Sequence, residues 1–372
     1  MRQDYVSVLI KPASGLCNMR CDYCFYRDAD FHARGVMTET TADGIIENVL
    51  SHARAGASFA FQGGEPTLVG LPFFEHFVEQ VNARNRNGIP VTYAIQTNGL
   101  AIDEAWARFF ADNHFLVGLS MDGPAELHDG HRRSVDGSGT FESVSRAAKF
   151  LREAGADFNI LCVVTADLSR KGKKVYEWFR AQHFGFLQFI LCLEPEEGVR
   201  HGKAPTPDRY AAFLIDVFNA WYEDWRKGVY CSVRYFDNLV QMLLGGPAEL
   251  CSLRGECTNQ LVAESDGECY PCDFYVEERY RLGNLASDPL DALWQSDGAK
   301  RFLTDGIRSD RTCVNCEYRR FCGGGCRRER FGSGRTAYCE AYQKFFKICL
   351  PRLALVAEDL RKGYRPAAPD NK

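Results

Sequence analysis

Three cysteines crowd one short segment, Cys17-Asn-Met-Arg-Cys21-Asp-Tyr-Cys24. A four-iron cluster takes one ligand on each iron, so three thiolates on one loop would leave one iron open. An open iron can take a small molecule, as catalytic zinc keeps a free position. The same three thiols would suit a structural zinc with a distant fourth ligand. A second group fills the last third of the chain: Cys251, Cys257, Cys269, Cys272, Cys313, Cys316, Cys322, Cys326 and Cys339. Setting aside Cys269, eight remain, enough for two clusters with four protein ligands each. A pair of zinc knuckles is the competing reading of the Cys313-x2-Cys316 spacing. Spacing alone does not divide the eight into sets. Cys162, Cys192, Cys231 and Cys349 stand apart and read, with Cys269, as ordinary thiols.

Other residues have types that suit the same chemistry. Gly63-Gly64-Glu65-Pro66 offers backbone that a ligand can approach closely and a carboxylate that can accept hydrogen bonds from an ammonium. Ser120 ends a strand-like run, and Arg132 lies in the loop that follows. Asp273 directly follows Cys272.

The elements that must position these residues alternate regularly. Six β-branched and aromatic runs, at 5–10, 58–61, 91–96, 115–120, 158–164 and 187–191, are separated by helical periodicity near 39–55, 72–87, 103–113, 141–154 and 171–182. Repeated βαβ units with right-handed crossovers predict a parallel sheet curled into a partial barrel with six strands. The polar, glycine-bearing segments follow the strands, where parallel α/β folds place their chemistry. Two more helices are expected near 207–227 and 235–244. A cysteine-rich region with little periodic sequence begins at about Gly245, and a polar tail closes the chain. The expected organisation is a barrel over 1–235, a cluster domain over 236–350, and the end of a C-terminal helix with the tail over 351–372.

With 372 residues, 45% of them hydrophobic, the chain has ample material for a core; its net charge of −4 gives no basic footprint for nucleic acid. No apolar run approaches a membrane span, and residues 1–10 lack the features of a signal peptide. A cytoplasmic enzyme is expected, with its 16 cysteines kept as thiols or metal ligands.

With Tyr23 at the aromatic position, the first cysteine segment resembles the motif of radical S-adenosylmethionine (SAM) enzymes, and Gly63 to Pro66 resembles that family's second motif. The resemblance implies that the open iron chelates SAM, whose reductive cleavage yields an adenosyl radical. It gives Tyr23 the adenine contact and makes Leu193, Gly63, Gly64, Glu65, Ser120 and Arg132 SAM contacts. The later cysteines are similar in spacing to the SPASM auxiliary-cluster domain. That likeness implies one cluster on Cys251, Cys257, Cys272 and Cys326 and another on Cys313, Cys316, Cys322 and Cys339, hence three four-iron clusters in all.

Longer stretches, among them Ser58 to Thr67, Gln96 to Gly99, Phe115 to Pro124 and Tyr270 to Tyr275, resemble the anaerobic sulfatase-maturating enzymes. The likeness departs mainly in the loop from Glu194 to Thr206 and at Cys269. It implies oxidation of a Cys or Ser side chain to Cα-formylglycine without oxygen, with Asp273 as the base and Tyr26 and Gln62 on the substrate side. The implied partners are an unfolded or nascent sulfatase polypeptide and an electron donor such as flavodoxin or ferredoxin. Two other classes use similar modules: a radical SAM enzyme forming thioethers in ribosomal peptides, and a non-catalytic iron–sulfur scaffold. The Tyr270 to Tyr275 segment argues against the first, and the open-site cysteine loop against the second.

Overall fold

A computed structural model of the chain describes residues 4–26, 34–194, 201–307, 310–331 and 334–367. Residues 195–200 of the loop that departs from the family pattern, and the tail from 368 onward, lie outside the described residues. The chain folds into two compact units, each built from separated stretches. The first comprises Met1–Ser120, Arg132–Phe158 and Thr258–Asp305; the second, Met121–His131, Asn159–Cys257 and Gly306–Lys372.

Alternation builds the strands of the first unit. In β1 (Tyr5–Ile10), Val6, Val8 and Ile10 point into the core while the residues between them stay partly open. β2 (Gly56–Phe61), β3 (Val91–Thr97) and β4 (Phe115–Ser120) follow it in parallel, each joined to the next through a helical crossover. The helix Glu39–His52 starts at Thr38, whose hydroxyl accepts from the Thr41 amide at 3.1 Å, and buries Ala42, Ile45, Ile46 and Val49 along one face. The helix Leu71–Arg84 lays Phe74 and Phe77 against Phe61, with ring centroids 5.0 Å from it in edge-on geometry.

Beyond the expected strands, three short ones extend this sheet: β8 (Leu261–Ala263), β9 (Glu268–Tyr270) and β10 (Gly283–Asn284). Their order is β10-β9-β8-β1-β2-β3-β4, with β8 parallel to β1 and the two outer strands antiparallel. Strands of two or three residues carry too little pattern to be read from sequence.

In the second unit, β5 (Phe158–Val164), β6 (Phe186–Leu191) and β7 (Ser232–Val233) are parallel neighbours. The helices Pro207–Arg226, Arg234–Leu243 and Cys339–Arg361 pack together, with Phe236 stacked on Phe345 at 5.9 Å. The last helix is longer than foreseen because its first residue, Cys339, lies well inside the cysteine-rich region. Among the described residues no helix is long and apolar enough to cross a membrane.

Candidate active site

The cysteine loop is fixed by backbone before any cofactor is considered. Gly64 donates to the Ser14 carbonyl at 2.7 Å, and Glu65 to that of Leu16 at 2.8 Å. A side chain on Gly64 would meet the Leu16 carbonyl oxygen at 2.1 Å, so only glycine lets the two loops touch. Gly63 sits at φ +127, a backbone region that favours glycine. These glycines therefore hold the segment that leads into Cys17. On the loop itself, the Met19 amide points at Cys17 Sγ at 3.4 Å, and the Asn98 side-chain amide lies 3.7 Å from the same sulfur. Such donors suit a thiolate bearing negative charge. Tyr23 faces the guanidinium of buried Arg132 at 5.5 Å, and Ser120 is buried at the exit of β4.

Glu65 does more than the sequence suggested. Fully buried, it accepts from the Thr67 amide and hydroxyl at 3.1 and 2.6 Å, the Thr97 hydroxyl at 2.7 Å and the Asn98 amide at 2.7 Å. Burial raises its pKa above the ordinary carboxylate value, against the opposing pull of those four donors. Its carboxylate thus ties the glycine loop to the end of β3. Glu65→Ala should leave these donors unpaired and destabilise the protein by about 3 kcal/mol or more. A thermal melt of anaerobically purified protein should drop by several degrees, and an unchanged melt would contradict this role.

Three adjacent parallel strands, β8, β1 and β2, end in register at Ala263, Ile10 and Phe61. The next residues are Glu264, Lys11 and Gln62, so their side chains gather at one edge. Lys11 is completely buried, and its Nζ lies 2.5 Å from Asp273 Oδ1 and 3.3 Å from Glu264 Oε1. It also donates to the Tyr26 hydroxyl. Tyr26 in turn donates to Glu264 Oε1 at 2.7 Å, and Gln62 donates to Asp273 Oδ2 at 2.9 Å. Burial, reinforced by the charges of Asp273 and Glu264, raises the Tyr26 pKa far above its ordinary value and keeps the phenol protonated. The structure therefore brings Asp273, Gln62 and Tyr26 together. It adds two residues that sequence reading missed: Lys11 and Glu264 show no motif, only a strand-end position.

Among the auxiliary cysteines, Cys313, Cys316, Cys322 and Cys339 line one cavity of about 80 Å³ in the second unit, walled by Tyr342 and Phe346. Cys251, Cys257 and Cys326 belong to the same unit, and Cys272 to the first. The Arg328 amide donates to Cys326 Sγ at 3.4 Å. Among the described residues no three His, Cys, Asp or Glu side chains converge as the ligands of a single ion do. A cubane, with one thiolate on each of four separated irons, does not require that convergence. Cys269 is fully buried in β9, and burial pushes its thiol up to about 12, as expected of an inert thiol. Leu193 lies just beyond β6 in the second unit, partly exposed.

Comparison with known proteins places this geometry. Residues 12–175 match the radical SAM superfamily, and residues 255–317 match the iron–sulfur cluster-binding domain SPASM. The chain is 42% identical to the cysteine-type anaerobic sulfatase-maturating enzyme of Clostridium perfringens, over 96% of this chain and 99% of that protein. The chain belongs to the anaerobic sulfatase-maturating enzymes. A serine-type relative from Klebsiella aerogenes is 28% identical over 97% of this chain and 89% of its own length. The solved structure of native anSMEcpe with bound AdoMet and the Cp18Cys peptide superposes with a TM-score of 0.92 at 42% identity, covering 96% of this chain and 99% of that one. Streptococcus suis SuiB bound to its precursor peptide SuiA shares the fold at a TM-score of 0.65, covering 91% of this chain and 76% of that one, with 15% identity.

The fold is thus a mixed α/β partial barrel of the radical SAM type with a cysteine-rich SPASM region and a C-terminal helix. The activity is anaerobic sulfatase maturation, the oxidation of Cys or Ser to formylglycine by radical SAM chemistry.

Proposed function

We propose that this sulfatase-maturating enzyme oxidises cysteine rather than serine, in an unfolded or nascent sulfatase, with Asp273 as the proton acceptor. The observation that carries the base assignment is the carboxylate itself, held through both oxygens by Lys11 and Gln62 where parallel strands end. The cysteine preference rests on 42% identity to a cysteine-type relative against 28% to a serine-type one. A peptide-bound relative with AdoMet supports a polypeptide substrate.

Cys17, Cys21 and Cys24 would hold the cluster that binds SAM, and the cofactor pair supplies the radical that takes a hydrogen from the target Cβ. Tyr23, Gly63, Gly64, Glu65, Ser120, Arg132 and Leu193 would place SAM, with Glu65 also fixing the loop that carries two of these glycines. Asp273 would take the thiol proton, while Gln62 and Tyr26 border the substrate side. Cys251, Cys257, Cys272 and Cys326 would hold one auxiliary cluster, and Cys313, Cys316, Cys322 and Cys339 the other. In this division residues 1–235 generate the radical, 236–350 take the electron, and 351–372 complete the C-terminal helix and tail. A flavodoxin or ferredoxin in the cytoplasm would supply the priming electron.

The test is mass spectrometry of sulfatase-motif peptides after anaerobic incubation with SAM and reductant. The cysteine peptide should lose about 18 Da, and its serine counterpart, if it reacted, about 2 Da. Faster turnover of the serine peptide would overturn the proposed preference.

A further inference from the structure

We propose that Lys11 is a positioning residue for the proton acceptor, clamping the Asp273 carboxylate in the orientation from which it reaches the substrate. The inference rests on Asp273 being the base, and adds to that reading a residue that no motif marks.

An ammonium has three protons in fixed tetrahedral directions and no acceptor. Lys11 finds three acceptors on three separate segments: Asp273 Oδ1, Glu264 Oε1 and the Tyr26 hydroxyl. With no solvent exposure, hydrogen-bonded to Tyr26 and ion-paired with Asp273 and Glu264, the ammonium has nowhere else to turn. The Tyr26 ring also lies 4.0 Å below it. The clamp is anchored through backbone on both sides. Lys11 donates its amide to the Ala263 carbonyl at 2.8 Å, and Gln62 donates its own to Ile10 at 3.0 Å. One oxygen of Asp273 is therefore tied to the exit of β1 and the other to the exit of β2.

A general base must come within about 2.6–3.2 Å of the proton it removes, and drift of about 1 Å can cost 10²-fold. Asp273 lies on a short 3-10 turn, Asp273–Tyr275, and is only partly covered. That turn alone gives it no fixed direction. Lysine suits the task better than arginine, because three acceptors on different segments surround a point, whereas a planar fork matches two on one group. Glu264 completes the arrangement. Fully buried, it balances the lysine charge, and among the described residues no hydrogen bond reaches its Oε2.

Removing Lys11 alone would strand buried carboxylates and could prevent folding, so the informative variant is Lys11→Met/Glu264→Gln, which deletes one charge of each sign. The experiment uses the reconstituted enzyme with a cysteine peptide, SAM and dithionite. It reads iron content, peptide binding by fluorescence anisotropy, and the ratio of formylglycine to 5′-deoxyadenosine. Iron content and peptide affinity should stay within about twofold of wild type, deoxyadenosine should still form, and the ratio should fall by about 10-fold or more. A wild-type ratio in the double variant would overturn the proposal. So would loss of iron, or a parallel loss of both products, because either would make the cluster of side chains merely structural. Asp273→Asn, measured alongside, separates the two readings. If it keeps the wild-type ratio, the base assignment falls; if it uncouples while the double variant does not, only the role of Lys11 falls.

Discussion

Asp273→Asn should produce 5′-deoxyadenosine without matching formylglycine. The asparagine keeps the size of the side chain and can still meet Lys11 with its carbonyl oxygen, but it cannot take a proton. The loop carrying Cys17, Cys21 and Cys24 and the glycines that pack on it make no contact through Asp273 in the hydrogen bonds described above, so radical formation should continue. Formylglycine formation should slow by about 10²-fold or more, the range typical for removing a general base. The ratio of the two products, followed by chromatography and mass spectrometry without oxygen, is the measurement. A variant with the wild-type ratio and rate would remove Asp273 from the chemistry.

Replacing Cys17, Cys21 and Cys24 together with alanine should abolish SAM cleavage altogether. Three four-iron clusters predict about twelve irons per chain after anaerobic reconstitution, and this variant should retain about eight. The auxiliary ligands lie far along the chain, and four of them line a cavity in the second unit, so their iron should survive. Two outcomes would sink the assignment. One is loss of all iron from the triple variant; the other is stoichiometric zinc in wild-type protein purified without oxygen.

How much of this was legible depended on how local each signal was. The cysteine loop and the glycine pair could be read directly, because each is a short run whose chemistry depends on its own neighbours. The strands β1 to β6 were legible from alternation, within a residue or two at their ends. Lys11 was not. In the sequence it is one more charged residue after an apolar run, and such a residue is usually solvated. Only the pairing of β8 with β1, two segments some 250 residues apart in sequence, sets Glu264 beside it. Glu65 was legible as a functional carboxylate but not as the acceptor of four hydrogen bonds, because two of its donors, on Thr97 and Asn98, become neighbours only when β3 ends beside the glycine loop. The long helix from Cys339 was hidden by its cysteine-rich start.

The placement of β8 alongside β1 bears on how such enzymes could be recombined. A chimera cut near residue 235, the expected boundary between barrel and cluster domain, would import a foreign strand to sit against β1. The residues at 264 and 273 would then come from a different protein than the lysine they pair with. Grafts that exchange residues 258–305 together with the first two strands and the residues that follow them should be the ones that retain coupling, since Lys11, Gln62, Glu264 and Asp273 then travel together.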